Sequence, residues 1–100
     1  MKQIREIKKI VKLGVAWCQP CHVFAKTFEK VAEMEEYKNI EFKQIDIEED
    51  DDAEMLVEKF NIRNVPTTLI LGENDELIYK LSGNVSFEDF ISVLNNAMTK

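Results

Sequence analysis

The spacing of apolar residues changes along the chain, and these changes predict alternating strands and helices. Residues 10–16 are apolar except for Lys12, which is typical of a buried strand that runs into a turn at Trp17. Residues 20–37 repeat their apolar positions at helical spacing, and Pro20 suits the first turn of a helix. The apolar positions of this helix, the strongest in the sequence, are Phe24, Phe28, Val31 and Ala32.

The middle of the chain predicts a second strand and a second helix. Residues 40–47 alternate imperfectly between apolar and polar side chains, which favours a strand that ends at an acidic run, residues 48–52. Carboxylates are favourable at the N-terminus of a helix, so we interpret Asp50 to Asp52 as groups that cap or charge the next helix. The apolar residues of that helix are Ala53, Leu56, Val57 and Phe60.

The last third of the chain predicts a hairpin followed by a helix. Residues 67–71 and 77–81 are short apolar runs separated by a polar loop that contains Gly72, which favours antiparallel pairing. Ser86 can cap the last helix, with Asp89 three residues further on. The inner face of this helix is formed by Phe87, Phe90, Ile91 and Leu94.

The order of these elements predicts an α/β fold, in which a central mixed sheet of about four strands is flanked by helices. The first nine residues allow a short edge strand or a helical turn, but they are too few for both. The length of 100 residues suits one domain, which we expect to span residues 1–100.

Composition and charge narrow the function classes. The net charge of −6 would repel a phosphate backbone, so we expect no nucleic-acid partner. The apolar runs are far shorter than the roughly 20 residues that span a bilayer, so we expect no membrane span. The N-terminal residues do not resemble a secretory signal, and we therefore expect a cytoplasmic location.

Two cysteines three positions apart are the candidate chemistry. A reducing cytosol disfavours a purely structural disulfide, which leaves redox chemistry or metal binding. If the predicted helix begins near Cys18, the positive end of the helix dipole stabilises its thiolate and lowers its pKa from about 8.5. Cys21 lies one helical turn further on and deeper, where its sulfur can attack Cys18 and release a bound substrate. Pro20 restricts the turn between them.

The segment Trp17–Cys18–Gln19–Pro20–Cys21 resembles the active-site motif of the thioredoxin family, in which glycine is more frequent at the Gln19 position. Val65–Pro66–Thr67 resembles the family's loop, where the proline is cis and faces the active-site disulfide, and Gly83 falls where a glycine helps to form the substrate groove. The resemblance extends from Ile10 to the C-terminus. It implies the thioredoxin fold, here with a shortened N-terminal element.

The same resemblance implies the activity and the surroundings of the site. The expected activity is thiol–disulfide oxidoreduction through a mixed disulfide, with protein disulfides as substrates. A reductase such as an NADPH-dependent flavoenzyme is the expected electron donor. The sequence itself has no Gly-rich phosphate loop and no acidic ligand set at a recognisable spacing, so we expect no metal or cofactor, and we expect a monomer. The backbone of Val65 would pair with an extended substrate. Trp17, Val65, Pro66 and Gly83 would shape the apolar surface around it.

For two of these residues a plainer interpretation stays open. Trp17 could instead pack in the core. Pro66 could be an ordinary trans proline at the entrance of a strand, because cis is the minority state of X-Pro bonds.

Three residues depart from the pattern of the family. Lys12 occupies the position of a buried acid, Gly14 that of an aromatic residue, and Gln44 that of a frequent lysine. An inward Lys12 ammonium would lower the pKa values of both cysteines and stabilise the dithiol, which would make the protein more oxidising. Alternatively, the long stem of Lys12 takes the amine to water.

The cysteine motif also allows other interpretations of its function. Cys18–Gln19–Pro20–Cys21–His22 also fits the pattern of c-type haem attachment, although the surrounding strand and the Pro66 and Gly83 matches argue against it. We interpret His22 as a partly exposed residue that tunes Cys18 at most. A zinc site would lack a fourth ligand. A thioredoxin-like module that binds a protein partner without turnover is the alternative from another class.

Overall fold

The computed structural model describes residues 6–98 and shows the predicted order of elements. Short 3₁₀ turns at Glu35–Tyr37 and Glu73–Asp75 lie between the longer elements. The strands and α-helices within the described residues are β1 (Lys9–Gly14), α1 (Gln19–Ala32), β2 (Glu41–Asp46), α2 (Ala53–Lys59), β3 (Thr67–Leu71), β4 (Leu77–Ser82) and α3 (Phe87–Met98).

The four strands form one mixed sheet in the order β2-β1-β3-β4. β1 is central: it pairs in parallel with β2 and antiparallel with β3, and β4 completes an antiparallel hairpin with β3. The predictions of a mixed sheet flanked by helices and of a C-terminal hairpin are therefore confirmed. The carboxyl end of β1 leads directly into the turn that carries the cysteines.

Successive side chains of β1 point to opposite faces of the sheet and enter two different apolar clusters, so helices pack on both faces. Ile10 packs in the larger cluster with side chains of α1 and α3, whereas Val11 and Leu13 point to the opposite face and to α2. A fully buried side chain of this size contributes roughly 1.5–3 kcal/mol through removal of apolar surface from water. Within the larger cluster the most buried aromatic residues are Phe24, Phe28, Tyr37 and Phe90.

The prediction that the first helix extends to Tyr37 is wrong. α1 ends at Ala32, and Met34 has an extended backbone with ψ 137° before the 3₁₀ turn begins. Tyr37 is nevertheless buried at 1% exposure, and its hydroxyl donates a hydrogen bond of 3.2 Å to the side-chain oxygen of Asn95. Tyr37 is buried in the same core as the apolar residues of α1. The helical spacing of apolar residues therefore continues past Ala32, where the helix itself ends.

Several element boundaries differ from those predicted. β1 ends at Gly14 rather than at residue 16, because the backbone then turns and the Cys18 N–H donates to the Val15 carbonyl. The predicted second strand is shorter, at Glu41–Asp46. The first five residues lie outside the described part of the chain, and residues 6–8 precede β1 without forming either of the alternatives for the N-terminus.

Of the two predicted helix caps, the one at α3 is observed and the one at α2 is not. Asp52 precedes α2 without a side-chain capping hydrogen bond, so a cap from the acidic run is not observed. The carboxylate of Asp50 instead accepts the backbone N–H of Asp46 at 3.1 Å, which fixes the turn after β2. The predicted cap of the last helix is confirmed, since the Asp89 N–H donates to the Ser86 hydroxyl at 3.1 Å.

Candidate active site

Cys18 is the N-cap residue of α1. Its backbone is extended, with φ −92° and ψ 109°, and its sulfur accepts a hydrogen bond of 3.2 Å from the Cys21 N–H. The first turn of α1 contains no acidic residue that would oppose a negative charge there. The free N–H groups and the helix dipole therefore favour the thiolate of Cys18, as the sequence predicts.

Cys21 is bonded to Cys18 and is the more deeply buried of the pair. The two Cα atoms are 5.3 Å apart, and the exposed fractions are 6% for Cys18 and 2% for Cys21. Val15 packs with both cysteines in a small apolar cluster, and Ile47 and Val65 pack against it. This arrangement leaves Cys18 as the sulfur that is easier to reach from outside.

Gly14 allows the close approach of α1 to β1 at the second cysteine. A Cβ atom at this position would lie 3.1 Å from the sulfur of Cys21 and 3.2 Å from its Cβ, tighter than ordinary van der Waals contact. Any larger residue at this position would therefore require Cys21 to shift by a few tenths of an ångström. The departure at Gly14 thus has a local structural reason.

Trp17 lies at the surface, with 74% of its side chain exposed, so the alternative of core packing is wrong. Its indole N–H donates to both carboxylate oxygens of Glu48, at 3.1 and 3.2 Å. Gln19 and Pro20 are also exposed. Trp17 and Glu48 border a cleft of about 180 Å³, whose other lining residues are Val15, Ile47, Ile62, Arg63, Asn64 and Val65.

Substitution of Glu48 by alanine is expected to loosen the indole ring. Trp17 is the single tryptophan of the chain, so fluorescence anisotropy reports on this ring alone. We expect lower anisotropy in Glu48→Ala, with stability changed by less than about 0.5 kcal/mol because the contact is exposed. Glu49→Ala removes a neighbouring exposed carboxylate and is the control. Equal anisotropy in the two variants would contradict a restraining role of Glu48.

The Val65–Pro66 segment stands beside the cysteines. The Val65–Pro66 peptide bond is cis, as the resemblance implies. Val65 packs against the cysteine cluster, and the carbonyl of Pro66 accepts the Gly83 N–H at 2.8 Å. Gly83 has φ +85°, which favours glycine at this position. The structure therefore brings the entrance of β3 and the end of β4 together next to the redox pair.

Lys12 points into the protein, with only 7% of its surface exposed. Its Nζ lies 3.4 Å from the carbonyl oxygen of Cys21. Burial lowers the pKa of Lys12, and the negative charge of Glu29 works against this shift. The inward alternative of the sequence analysis is the one observed. Glu29 also accepts a hydrogen bond of 3.2 Å from the side chain of Gln44.

His22 is exposed, and its ring Nε2 donates to the backbone carbonyl of Ala16. The sulfur atoms of Cys18 and Cys21 are bonded to each other, whereas c-type haem attachment would require both of them for thioethers. The geometry therefore argues against the haem interpretation. Between residues 6 and 98, no group of three or more His, Cys, Asp or Glu side chains could hold a metal ion.

Two contacts of the site are missed by the sequence analysis. Glu48 begins the acidic run in which only Asp50 to Asp52 were given a role, at the next helix, and Glu29 is an exposed residue on α1. Both contacts join residues that are distant along the chain: Glu48 meets Trp17, and Glu29 meets Gln44. No local pattern marks either pair.

Within residues 6–98, no helix is long and apolar enough to cross a bilayer.

A buried pair of cysteines at the first turn of a helix, beside a cis-proline loop, defines a protein of the dithiol–disulfide class. Comparison with known proteins gives the family. The family model described as thioredoxin matches residues 2–96. The chain belongs to the thioredoxin family.

Individual relatives agree with this assignment. Thioredoxin from Mycoplasma genitalium is 30% identical, over 96% of this chain and 93% of that protein. The structure of thioredoxin f from spinach chloroplast (short form) is 27% identical, with a TM-score of 0.74, over 91% of this chain and 77% of the other. A chain in a complex of ferredoxin:thioredoxin reductase and thioredoxin f2 is 25% identical, with a TM-score of 0.73, over 89% and 76%.

Some relatives are considerably longer than the matched region. Thioredoxin Asp f 29 from Aspergillus fumigatus is 26% identical over 68% of this chain, and thioredoxin H5 from Oryza sativa subsp. japonica is 28% identical over 84%. The chain spans 59% of the length of the first and 60% of the second.

Proposed function

We propose that this protein is a protein-disulfide reductase that uses Cys18 and Cys21 as its redox pair. The observation that carries the proposal is the position of Cys18 at the N-cap of α1, where its sulfur accepts the Cys21 N–H at 3.2 Å. That position favours a thiolate, and the thiolate is the form that attacks disulfides. Cys21 lies one turn away, within bonding distance of the first sulfur.

The proposed cycle has two exchange steps. The Cys18 thiolate attacks one sulfur of the substrate disulfide, the substrate S–S bond breaks, and the released sulfur leaves as a thiolate that takes a proton from solvent. Cys21 then loses its proton and attacks the Cys18 sulfur of the mixed disulfide. The second substrate sulfur leaves with its electron pair and is protonated. The substrate has gained two electrons and two protons, and the Cys18–Cys21 disulfide has formed.

The exposed residues around Cys18 are proposed to hold the substrate backbone. Val65 packs beside the redox pair at the entrance of β3, where its backbone can pair with an extended segment. Trp17, Gln19 and Pro20 are exposed next to Cys18, and Trp17 lines the same cleft as Val65. Pro66 and Gly83, joined by a hydrogen bond, are proposed to complete the groove. His22, which is exposed on the first turn of α1, is proposed to tune Cys18 at most.

A separate reductase is proposed to return the pair to the dithiol form. One structural relative is a chain of a complex of ferredoxin:thioredoxin reductase and thioredoxin f2, which supports a reductase-type partner for this chain too. An NADPH-dependent flavoenzyme is our expected donor. We further propose that the protein is a single domain that works as a monomer in the cytoplasm on disulfide-containing proteins.

Reduction of insulin disulfides by dithiothreitol tests the proposed function. With the wild-type protein at micromolar concentration we expect insulin to precipitate several-fold faster than with dithiothreitol alone, since the enzyme thiolate is the better-placed nucleophile at neutral pH. Bovine serum albumin at the same mass concentration controls for added protein. A rate equal to that of dithiothreitol alone would contradict reductase function.

The binding-module alternative gives a different result in the same experiment. A module would leave the insulin rate unchanged and would bind its partner equally well when Cys18 and Cys21 are both serine. A reductase requires the sulfur atoms themselves. The geometry at the N-cap of α1 favours the reductase, because a protein-binding groove alone has no need for a sulfur that accepts an N–H hydrogen bond.

A further inference from the structure

A buried lysine lies directly below the second cysteine. Lys12 is on β1, between Ile10 and Gly14 on the face of the sheet that packs against α1. A lysine stem is long enough to carry its amine to the surface, yet Lys12 is only 7% exposed and its Nζ lies 3.4 Å from the Cys21 carbonyl oxygen. Such burial of a cation is costly unless other groups favour it.

Gly14 leaves the space in which this amine and the Cys21 sulfur meet. A Cβ atom on Gly14 would lie 3.6 Å from the Lys12 Nζ and 3.1 Å from the Cys21 sulfur. Both atoms are therefore within 4 Å of one point next to the Gly14 backbone. The Lys12 Nζ and the Cys21 sulfur are consequently less than about 7 Å apart, so a positive charge on Lys12 acts on this sulfur.

The charged and titratable groups near Lys12 are arranged around one cleft of about 500 Å³. Glu29 and His22 face the cleft from α1, and Asp46 and Asp50 face it from β2 and the following turn. Glu29 is the group whose charge raises the pKa of Lys12 against the lowering effect of burial. Its carboxylate is also held by the Gln44 side chain, at 3.2 Å. Glu29 thus favours the charged form of Lys12.

We propose that the Lys12 ammonium, favoured by Glu29, stabilises the Cys21 thiolate and so shifts the redox pair from the disulfide towards the dithiol. This inference rests on the proposed function of the pair. The sulfur of Cys21 carries a negative charge only after the disulfide has opened, so the attraction exists in the reduced form alone. Lys12 acts through Cys21 and touches no substrate, which makes it a positioning residue.

The consequence is a protein that accepts electrons more readily. When a substrate dithiol opens the Cys18–Cys21 bond, the two substrate sulfurs lose two electrons and form their own disulfide. The two cysteine sulfurs gain those electrons. Because Cys21 stays a thiolate, it takes up no proton, and one of the two substrate protons is released to solvent. Lys12 therefore makes the Cys18–Cys21 disulfide a stronger oxidant than the same pair without this charge.

Substitution of Lys12 by methionine tests the inference with a side chain of similar length. We expect the equilibrium constant against reduced and oxidised glutathione to shift at least about tenfold towards the disulfide, because an opposite charge nearby changes a thiol pKa by about one unit or more. Tenfold corresponds to about 30 mV for a two-electron couple. The pH dependence of Cys21 alkylation in the reduced protein should move to higher pH in the same variant.

Lys43→Met is the matched control, since it removes the same charge from an exposed residue of β2 that pairs with Val11. We expect this control to shift the equilibrium by less than about twofold, because an exposed charge is screened. An equal shift in Lys12→Met and Lys43→Met, or none in Lys12→Met, would overturn the inference. In either case normal insulin reduction by the wild-type protein would leave the proposed reductase function intact.

Glu29→Gln tests the second half of the inference while Lys12 is kept. Loss of the Glu29 carboxylate should favour the neutral amine and shift the equilibrium about twofold or more towards the disulfide. In the Lys12→Met background the same substitution should cause no shift in that direction. This second variant also keeps the inference testable if Lys12→Met does not fold. No shift with Glu29→Gln, or the same shift in both backgrounds, would refute the link through Lys12.

Discussion

Replacement of Cys18 by serine is expected to reduce insulin turnover to the rate of dithiothreitol alone. The serine hydroxyl is not ionised at neutral pH, so the helix N-terminus has no thiolate to stabilise and the first exchange step is lost. Cys18 is at the N-cap and its sulfur accepts the Cys21 N–H, whereas Cys21 is the more buried residue, at 2% exposure. The insulin assay with equal concentrations of wild-type protein and Cys18→Ser measures the effect.

Cys21→Ser is the matched variant, because it removes the same disulfide and the same number of sulfur atoms. It keeps the attacking thiolate and lacks the second step, so we expect a mixed disulfide between Cys18 and a substrate cysteine to accumulate. Mass spectrometry without reductant measures this species. Accumulation with Cys18→Ser and none with Cys21→Ser would mean that the roles of the two cysteines are exchanged.

The order of the elements follows from local patterns, which is why it is predictable. Phe24, Phe28 and Val31 repeat at helical spacing and are all buried on the inner face of α1. The strand at the start of the motif is recognisable because β1 is central and buried on both faces. The cysteine pair is predictable as a redox site because its chemistry depends only on the helix that begins beside it. These features depend on residues that are close along the chain.

The electrostatics of the site depend instead on how distant segments are paired. Which face of the sheet Lys12 is on, and so whether it approaches α1 and Cys21, is decided by the register that sets it opposite Gln44 on β2 and Thr68 on β3. One position of slip would move it to the other face. The approach of Glu48 to Trp17 across 31 positions has the same origin. No spacing rule contains that information, so both contacts become visible only in three dimensions.

The aromatic core that packs against α1 is the basis of the second large predicted effect, a loss of stability. Phe28 is on α1, with 1% of its surface exposed. Its ring lies 6.2 Å from those of Phe24 and Phe90 and 5.4 Å from that of Phe42, measured between centroids. Phe28 thus joins α1, which carries both cysteines, to β2 and α3. Its neighbours are held by the same cluster and can fill the space of a lost ring only in part.

Phe28→Ala is therefore expected to lower the free energy of unfolding by about 3–5 kcal/mol. A domain of this size has about 5–15 kcal/mol in total, so the variant should be close to unfolding at 37 °C and should lose insulin reduction together with its fold. Urea denaturation followed by circular dichroism measures the change. Tyr79→Ala, at a side chain that is 48% exposed, is the control and should cost far less. A loss for Phe28→Ala as small as that of the control would mean that α1 is anchored mainly by its other contacts, and that the cysteines do not depend on this ring for their position.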